Sequence, residues 1–311
     1  MTATRTLRVG TRASALARVQ TALVTAALDT AVEIVPISTH GDRSDAPLAQ
    51  IGGTGVFVSA LRTALLGGQI DVAVHSYKDL PTLAADRIAL AAVPPREDPR
   101  DALVARDGLT LGELPSGATV GTGSPRRAAQ LRALGLGLNV VAIRGNVDTR
   151  LARVRSGDLD AVVLAYAGLR RLGRADEVSE VLDPIQLLPA PAQGALAVEC
   201  RADDASALSI LATLDHSDSR VAVTAERALL AGLEAGCSAP VGGLAVVAEG
   251  EPSAAGDDGA EVFLRASVTA PDGSDAVRLS GTGATTDADG VGRRLAAELL
   301  ADGADQLMGS T

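Results

Sequence analysis

The stretch Gly68-Gln-Ile-Asp-Val-Ala-Val-His-Ser-Tyr-Lys-Asp79 joins an apolar run to two charged residues that follow it. Its centre, Ile70 to His75, predicts a buried β-strand, because a short apolar run here is bounded by a glycine and by polar residues. Lys78 and Asp79 then lie at the carboxyl end of that strand. Ligands of open α/β sheets gather outside the carboxyl ends of strands, so this position favours a functional pair.

The same pattern occurs twice in the chain. Gly68–Val74 is echoed by Gly157-Asp-Leu-Asp-Ala-Val-Val163, and Val9-Gly-Thr11 is echoed by Val120-Gly-Thr122. Each pair places a strand-to-helix turn first and a strand beginning with Gly-x-Ile/Leu-Asp later. We therefore predict two similar α/β lobes with a cleft between them. The predicted crossovers between the lobes are the Pro-rich segments Val93–Pro99 and Leu188–Gln193.

Short apolar runs alternate with helical patterns over residues 5–190, which is typical of an α/β fold. The predicted strands here, besides Ile70–His75, are Leu7–Thr11, Val32–Ile37, Val140–Ile143 and Ala161–Ala165. The predicted helices are Ala15–Leu28, capped by Ser14, and Val56–Leu66.

From about residue 217 the pattern changes to a small α+β domain. Its predicted elements are a helix at Arg220–Leu233, strands at Leu244–Ala248, Glu261–Thr269 and Ala276–Ser280, a turn at Pro271–Ser274, a helix at Gly290–Leu300, and a solvated loop at Glu249–Gly259. The predicted domains are lobe 1 at residues 1–94 and 195–213, lobe 2 at 99–189, and a C-terminal domain at 217–311.

The composition excludes several classes of protein. A net charge of −10 and an aromatic content of 1% argue against nucleic-acid binding, which needs positive charge and stacking side chains. No apolar run is long enough to span a bilayer, and the N-terminus lacks the apolar segment of a signal peptide. We therefore expect a cytoplasmic protein without a membrane partner. The three histidines are scattered, which argues against a metal site.

Lys78 is the only lysine among 28 basic residues, and all the others are arginine. An ammonium group is a compact charge, whereas guanidinium is a planar fork, so the two are not interchangeable. One interpretation is that a single lysine survived an arginine-biased composition. The alternative is that Lys78 and Asp79 form part of a ligand site, with Asp79 as an acid/base or cation-stabilising group rather than half of a plain ion pair.

The segment Gly121-Thr-Gly-Ser-Pro-Arg-Arg127 predicts an anion site. Ser124 can cap a helix that begins at Pro125, and a helix start attracts anions through its free N–H groups. Arg126 and Arg127 add two forks suited to carboxylates, although a surface helix with solvated arginines is the simpler interpretation. Further arginines near strand ends, which predict a cationic cleft for a ligand with several negative charges, are Arg12, Arg144, Arg150, Arg170 and Arg171.

The two cysteines differ in their surroundings. Cys200 closes an apolar run and is expected to be a small buried hydrophobic residue. Cys237 lies in the turn-rich segment Glu234–Pro240 and is a candidate nucleophile, although a lone cysteine in a turn is usually inert. A cytoplasmic context argues against a disulfide between them.

These motifs resemble, in order, those of the porphobilinogen deaminase (hydroxymethylbilane synthase) family. The matching segments are Gly-Thr-Arg-x-Ser at 10–14, Gly-Gly-x-Gly-x-Phe at 52–57, His-Ser-x-Lys-Asp at 75–79, Arg-Glu-Asp-Pro-Arg-Asp at 96–101, Gly-Thr-x-Ser-x-Arg-Arg at 121–127, Arg-Gly-Asn at 144–146, Gln-Gly-Ala at 193–195 and Glu-x-Gly-Cys-x-x-Pro at 234–240.

The resemblance implies two periplasmic-binding-protein-like lobes with mixed sheets plus a small C-terminal α+β domain, usually as a monomer. It implies a transferase that condenses four porphobilinogen molecules head to tail, releases ammonia, and hydrolyses off the linear tetrapyrrole. It also implies a dipyrromethane cofactor held by a thioether to Cys237, with Asp79 as the catalytic residue. No metal is implied.

By the same resemblance, two further sets of residues bind the carboxylates and pyrroles of the cofactor and substrate. The cofactor set, besides Cys237, is Ser76, Lys78, Thr122, Ser124, Arg126, Arg127 and Arg144; the substrate set is Arg12, Ser14, Gln20, Phe57, Arg150, Arg171 and Gln193.

The chain departs from the family pattern at three positions. Gln50 and Thr54 stand where many members have lysines in a mobile loop, and Tyr77 stands where Met is frequent. The replacements at Gln50 and Thr54 remove two positive charges that the family pattern would add to the cationic cleft.

Two other functions fit parts of the sequence. A two-lobed solute-binding protein fits the lobes and arginines, but the missing export signal and the third domain with Cys237 argue against it. A cysteine-dependent transferase or hydrolase fits Cys237 but lacks a histidine near it in sequence.

Overall fold

The computed structural model describes residues 5–37, 56–236, 239–249 and 259–308. The strands are β1 Leu7–Arg12, β2 Val32–Ile37, β3 Val72–Ser76, β4 Ile88–Ala92, β5 Asp101–Ala105, β6 Thr119–Thr122, β7 Asn139–Ala142, β8 Ala161–Ala165, β9 Glu180–Val181, β10 Leu196–Arg201, β11 Val241–Ala248, β12 Glu261–Thr269 and β13 Ala276–Ala284. The helices are α1 Ala15–Ala26, α2 Val56–Leu66, α3 Pro125–Ala133, α4 Val147–Arg155, α5 Tyr166–Arg171, α6 Ala205–Leu211, α7 Ser217–Gly232, α8 Ala288–Ala301 and α9 Ala304–Leu307.

The first lobe is built on a five-stranded mixed sheet in the order β2-β1-β3-β10-β4. Strands β1, β2 and β3 run parallel, and β10 is antiparallel to both β3 and β4. Because the carboxyl ends of parallel strands meet at one edge, the ends of β1 and β3 bring their following turns together there. This edge carries the turn after β3, in which Asp79 lies.

The second lobe repeats this arrangement with the sheet order β7-β6-β8-β5-β9. Strands β6, β7 and β8 run parallel, and β5 is antiparallel to both β8 and β9. The correspondence of β1 with β6 and of β3 with β8 confirms the internal repeat seen in the sequence. The mixed α/β fold class is therefore confirmed, and the cleft between the lobes stays a prediction.

Each lobe has apolar clusters on both faces of its sheet, as the alternation of side chains along a strand requires. In the first lobe, Val72 and Val74 of β3 join the cluster that includes Val24 of α1. Ala73 joins a cluster with Leu61 and Leu65 of α2 on the opposite face. Helices thus cover both faces of the sheet and leave its edges to the connecting turns.

The last part of the chain forms an antiparallel sheet, β11-β12-β13, whose core is shared with α7 and α8.

The chain divides into two compact units, Met1–Glu97 with Ala195–Arg220, and Asp98–Gly194 with Val221–Thr311. Within the second unit the backbone N–H of Gly243 donates to the carbonyl of Pro189 at 2.8 Å. The predicted boundaries of three domains stay predictions.

Most predicted elements lie within a few residues of the observed ones. Two strands, β3 and β11, begin at other residues than those predicted. Strand β3 begins at Val72 rather than Ile70, because the carboxylate of Asp71 turns to Arg8, whose side chain and backbone N–H both donate to it at 3.0 Å. Strand β11 begins at Val241, three residues early, and runs through Gly242 and Gly243. The predicted loop at Glu249–Gly259 lies mostly outside the described residues.

Helices α7 and α8 approach closely at Gly292. A Cβ atom there would lie 2.2 Å from the carbonyl oxygen of Ala225 and 2.7 Å from the backbone nitrogen of Leu229. We therefore expect Gly292→Ala to lower the free energy of unfolding by about 2 kcal/mol or more, as overpacked sites do. Urea denaturation measures this change.

Gly281→Ala is the matched control for that variant. A Cβ atom at Gly281 would meet its nearest neighbour, Leu295 Cδ1, at 3.7 Å, which is ordinary contact. If the two variants have equal free energies of unfolding, the close approach of α7 and α8 is contradicted.

Candidate active site

Asp79 lies at the end of a short 3₁₀ turn, Tyr77–Asp79, that follows β3. The backbone N–H of Tyr77 donates to the carbonyl of Ala195 on the neighbouring segment at 3.0 Å, and Leu80 donates back to Tyr77 at 3.1 Å. Tyr77 and Leu80 are buried, whereas Asp79 is exposed. The turn therefore holds an accessible carboxylate between two buried anchors.

A small pocket opens beside this turn, within the first lobe. Ser14 caps α1 by accepting a hydrogen bond from the Ala17 N–H at 3.3 Å, and the buried amide of Gln20 donates to Ser76 Oγ at 2.9 Å. Four of the predicted site residues thus line the same pocket. The lining residues are Arg12, Ala17, Gln20, Val58, Val74, His75, Ser76 and Asp79.

Behind the pocket, the buried carboxylate of Glu199 pairs with Arg62, and the sequence analysis identified neither residue. Glu199 of β10 accepts two hydrogen bonds from Arg62 of α2, at 2.6 and 3.0 Å. His75 Nε2 lies 3.2 Å from the same carboxylate. Burial alone would raise the pKa of Glu199, but His75 and Arg62 outweigh it and lower that pKa to about 2. Glu199 therefore remains ionised at neutral pH.

In the second lobe, α3 begins as predicted. The Ser124 side chain accepts from the Arg127 N–H at 3.4 Å, and the Ser124 N–H donates to Thr122 Oγ1 at 3.2 Å. Gly123 precedes the cap and has no side chain to cover the backbone. The start of α3 therefore carries the partial positive charge of a helix N-terminus, although Pro125 has no N–H and the N–H groups of Arg127 and Ala128 are bonded to Ser124.

Arg126 and Arg127 do not point to solvent but meet in the protein interior at Asp101. Arg126 Nη2 donates to Asp101 at 2.7 Å and Arg127 Nε at 2.9 Å, and both arginines are at most 5% exposed. Burial would raise the pKa of Asp101, but the two guanidinium groups hold it well below its usual range. Two guanidinium groups and one carboxylate leave one positive charge on this trio.

The remaining donors of the two arginines tie the crossover segments to α3. Arg126 Nη1 donates to the carbonyl of Leu188 at 2.5 Å. Arg127 Nη2 donates to Gln193 Oε1 at 3.2 Å, and Gln193 Nε2 donates to the carbonyl of Pro99 at 2.8 Å. Asp101 is thus a structural centre of the lobe. Its place in the Arg-Glu-Asp-Pro-Arg-Asp motif was the only signal for it in the sequence.

A further arginine lies beside the start of α3. A Cβ atom on Gly123 would lie 3.3 Å from Arg150 Nη2, so this guanidinium sits against the bare backbone before the cap. Burial, and then the charges of Arg127 and Arg144, lower the pKa of Arg150. The positive charges of Arg127, Arg144 and Arg150 therefore lie close to one another. Arg171 lies at the end of α5 and donates to the carbonyl of Gly194 at 2.6 Å.

Three predicted site features lie partly or wholly outside the described residues. These features are Cys237, the side chain of Phe57, and the loop positions Gln50 and Thr54. The other cysteine, Cys200, is a fully buried free thiol in the sheet of the first lobe. Burial raises the pKa of Cys200 to about 11.

Within residues 5–37, 56–236, 239–249 and 259–308, no group of three or more His, Cys, Asp or Glu side chains could hold a metal ion. None of the helices in those ranges combines the length and apolar character needed to cross a membrane.

Comparison with known families matches nearly the whole chain. Residues 7–209 match the family model for the dipyrromethane cofactor binding domain of porphobilinogen deaminase, and residues 220–301 match that of its C-terminal domain. The porphobilinogen deaminase of Mycobacterium tuberculosis (strain H37Rv) is 60% identical over 308 residues, which cover 97% of this chain and 98% of the relative. That of Mycobacterium marinum is 59% identical over 309 residues, covering 97% and 96%.

Solved structures that resemble the chain include periplasmic-type binding proteins. The methionine binding protein MetQ is 14% identical, with a TM-score of 0.42, and covers 67% of this chain and 89% of its own. A nutrient binding protein from Burkholderia cenocepacia bound to methionine is 15% identical, with a TM-score of 0.40, and covers 67% and 91%. These likenesses are too weak to carry an argument about this chain.

The Asp101 trio leads to a stability prediction. Asp101→Asn leaves two buried guanidinium groups facing a neutral amide, so we expect the free energy of unfolding to fall by about 3–5 kcal/mol at pH 7. This destabilisation should become smaller below about pH 4. At that pH the carboxyl group of Asp101 is protonated in the unfolded wild-type protein but still ionised in the folded protein, so the wild type itself loses stability. Denaturant titrations at several pH values measure both effects.

Asp289→Asn is the control, because its ion pair with Arg293 is exposed and should contribute less than about 1 kcal/mol. A free energy of unfolding for Asp101→Asn that equals that of the control would contradict the structural role of the trio.

Proposed function

The chain belongs to the porphobilinogen deaminase family, and we propose that Asp79 is its catalytic carboxylate and Cys237 the anchor of its cofactor. The enzyme is a transferase of tetrapyrrole biosynthesis. It condenses four porphobilinogen molecules head to tail, releases ammonia, and hydrolyses the product to hydroxymethylbilane. The observation that carries the assignment of Asp79 is its exposed position beside the pocket at the carboxyl edge of the first sheet.

The cofactor of the family is a dipyrromethane. When bound, it supplies the terminal pyrrole onto which the first substrate condenses. The described residues fit a group that bears several carboxylates, because Arg150 and the buried Asp101 trio concentrate positive charge at the start of α3.

The choice of Cys237 as anchor is supported by the properties of the other cysteine. A thiolate is the nucleophile in thioether formation, and the buried Cys200 thiol, with its pKa raised to about 11, stays protonated. Cys200 is also part of an apolar cluster in the first lobe, where an attached group would displace core side chains. Cys237 lies in a turn-rich segment of the sequence.

Asp79 would stabilise a positive charge that forms during the reaction and accept a proton. Loss of ammonia from porphobilinogen breaks a C–N bond and leaves a cationic azafulvene, and a fixed carboxylate nearby stabilises that charge. A bound cofactor would supply the pyrrole carbon for the new C–C bond, and the proton of that carbon would have to be taken up by a base. The carboxylate of Asp79 can accept this proton and pass it to solvent, because the side chain is exposed.

The residues that hold carboxylates differ in how they contribute. Arg126 and Arg127 are engaged with Asp101, so we propose that they act mainly through the positive charge of the trio. Lys78, the only lysine, is half-buried next to Asp79, where it is suited to a carboxylate of the ligand. The other proposed cofactor contacts are Ser76, Thr122, Ser124 and Arg144, and the proposed substrate contacts are Arg12, Ser14, Gln20, Phe57, Arg150, Arg171 and Gln193. The monomeric state and the cytoplasmic location stay predictions.

Replacement of the proposed catalytic carboxylate tests its role. We expect Asp79→Asn to lower kcat at least about 100-fold, the loss typical of a removed acid/base group, with an unchanged melting temperature because the side chain is exposed. Asp86→Asn is the control, since it makes the same change at another exposed position of the first lobe. Full activity of Asp79→Asn would refute the assignment.

The cofactor anchor is tested by the mass of the denatured protein. We expect wild type and Cys200→Ser to carry an adduct of two pyrrole units, and Cys237→Ser to lack it. An adduct retained in Cys237→Ser, or an active wild-type enzyme of unmodified mass, would contradict the proposed attachment.

A further inference from the structure

The buried Glu199 carboxylate connects two separate walls of the Asp79 pocket. Glu199 lies on β10, two residues from Ala197, which pairs with His75 of β3 in the antiparallel register. Side chains two apart on a strand share a face, so Glu199 and the residues it contacts lie on the α2 side of the sheet. This group takes no part in the chemistry described above.

The first of these walls belongs to α2. Arg62 binds Glu199 with two hydrogen bonds, and Val58, four residues earlier in the same helix, lines the pocket. Residues four apart lie on one face of a helix, so a tie at Arg62 also fixes the position of Val58. The two hydrogen bonds join α2 to β10 on this face of the sheet.

The second wall is the end of β3. His75 lines the pocket itself and lies 3.2 Å from Glu199 through Nε2. The next residues along the chain are Ser76, which also lines the pocket, and the turn that ends at Asp79. A displacement of the His75 side chain would therefore shift the segment that presents the catalytic carboxylate.

We propose that Glu199 is a positioning residue for the condensation reaction, which acts through Arg62 and His75 to hold α2 and the end of β3 in register around Asp79. The proposal rests on the assignment of Asp79 as catalytic. Small misplacements of reacting groups cost much rate, about 100-fold for 1 Å, so loss of this tie should slow the chemistry. It should change KM less than kcat, because only the proposed first-lobe contacts next to the tie, such as Arg12 and Phe57, would move, whereas Arg150 and Arg171 of the second lobe are untouched.

The test compares Glu199→Gln, Arg62→Gln and the double variant with wild type. Each is assayed for kcat and KM with porphobilinogen, for cofactor content by intact mass, and for melting temperature. We expect kcat of Glu199→Gln to fall about tenfold or more with KM within about twofold of wild type. The double variant should be no slower than Glu199→Gln by more than about twofold, because both substitutions break the same tie.

The double variant also separates positioning from charge balance. It leaves neither member of the Arg62–Glu199 pair charged, so it is expected to fold even if Glu199→Gln alone does not. A slow, folded double variant supports the proposal. Wild-type kcat in the double variant, or in Glu199→Gln, overturns it, as does a change confined to KM.

Two further variants complete the design. Glu298→Gln removes an exposed carboxylate from α8 and should leave kcat unchanged. Asp79→Asn, assayed alongside, distinguishes the two possible failures. An active Asp79→Asn would remove the basis of the proposed function, whereas an inactive Asp79→Asn with wild-type kcat in Glu199→Gln would remove only the positioning role.

Discussion

The structure depends on pairing carboxylates with guanidinium groups away from water. An unpaired charge in the interior is very costly, so each such group constrains the elements that supply its partner. In the second lobe, Asp101 accepts hydrogen bonds from Arg126 and Arg127 of α3, and Arg126 also donates to the carbonyl of Leu188 in a crossover segment. In the first lobe Glu199 of β10 binds Arg62 of α2 and lies 3.2 Å from Nε2 of His75 at the end of β3.

This pairing divides the arginines into two roles. Arg62, Arg126 and Arg127 bind carboxylates of the protein, whereas Arg150 lies by the start of α3, where we propose that it binds a carboxylate of the ligand. The division matters for an enzyme whose ligands are polyanions. A guanidinium group fixed by a buried carboxylate keeps its charge in place, yet it offers few donors to a ligand.

Much of the fold could be predicted from the sequence, because its signals are local. The boundaries of β2, α2 and β12 follow from periodicity, and Ser124 with Pro125 predicts the start of α3. The buried partners could not be predicted in this way. Glu199 lies 137 residues from Arg62, and Asp101 lies 92 from Gln193, so no local pattern joins them. Strand β11 begins three residues before the predicted start and includes Gly242 and Gly243, where a Cβ atom would make tight contacts with Leu188 at 3.0 Å and Pro191 at 3.2 Å.

The central claim is that a carboxylate at the end of β3 stabilises positive charge on a chain of pyrroles anchored at Cys237. The most direct measurement is a crystal structure of the cofactor-loaded enzyme. The account predicts an Asp79 carboxylate oxygen within hydrogen-bonding distance, about 2.6–3.2 Å, of a pyrrole N–H, with the cofactor joined to the sulfur of Cys237. A carboxylate that contacts no pyrrole nitrogen, or a cofactor joined to another residue, would contradict it.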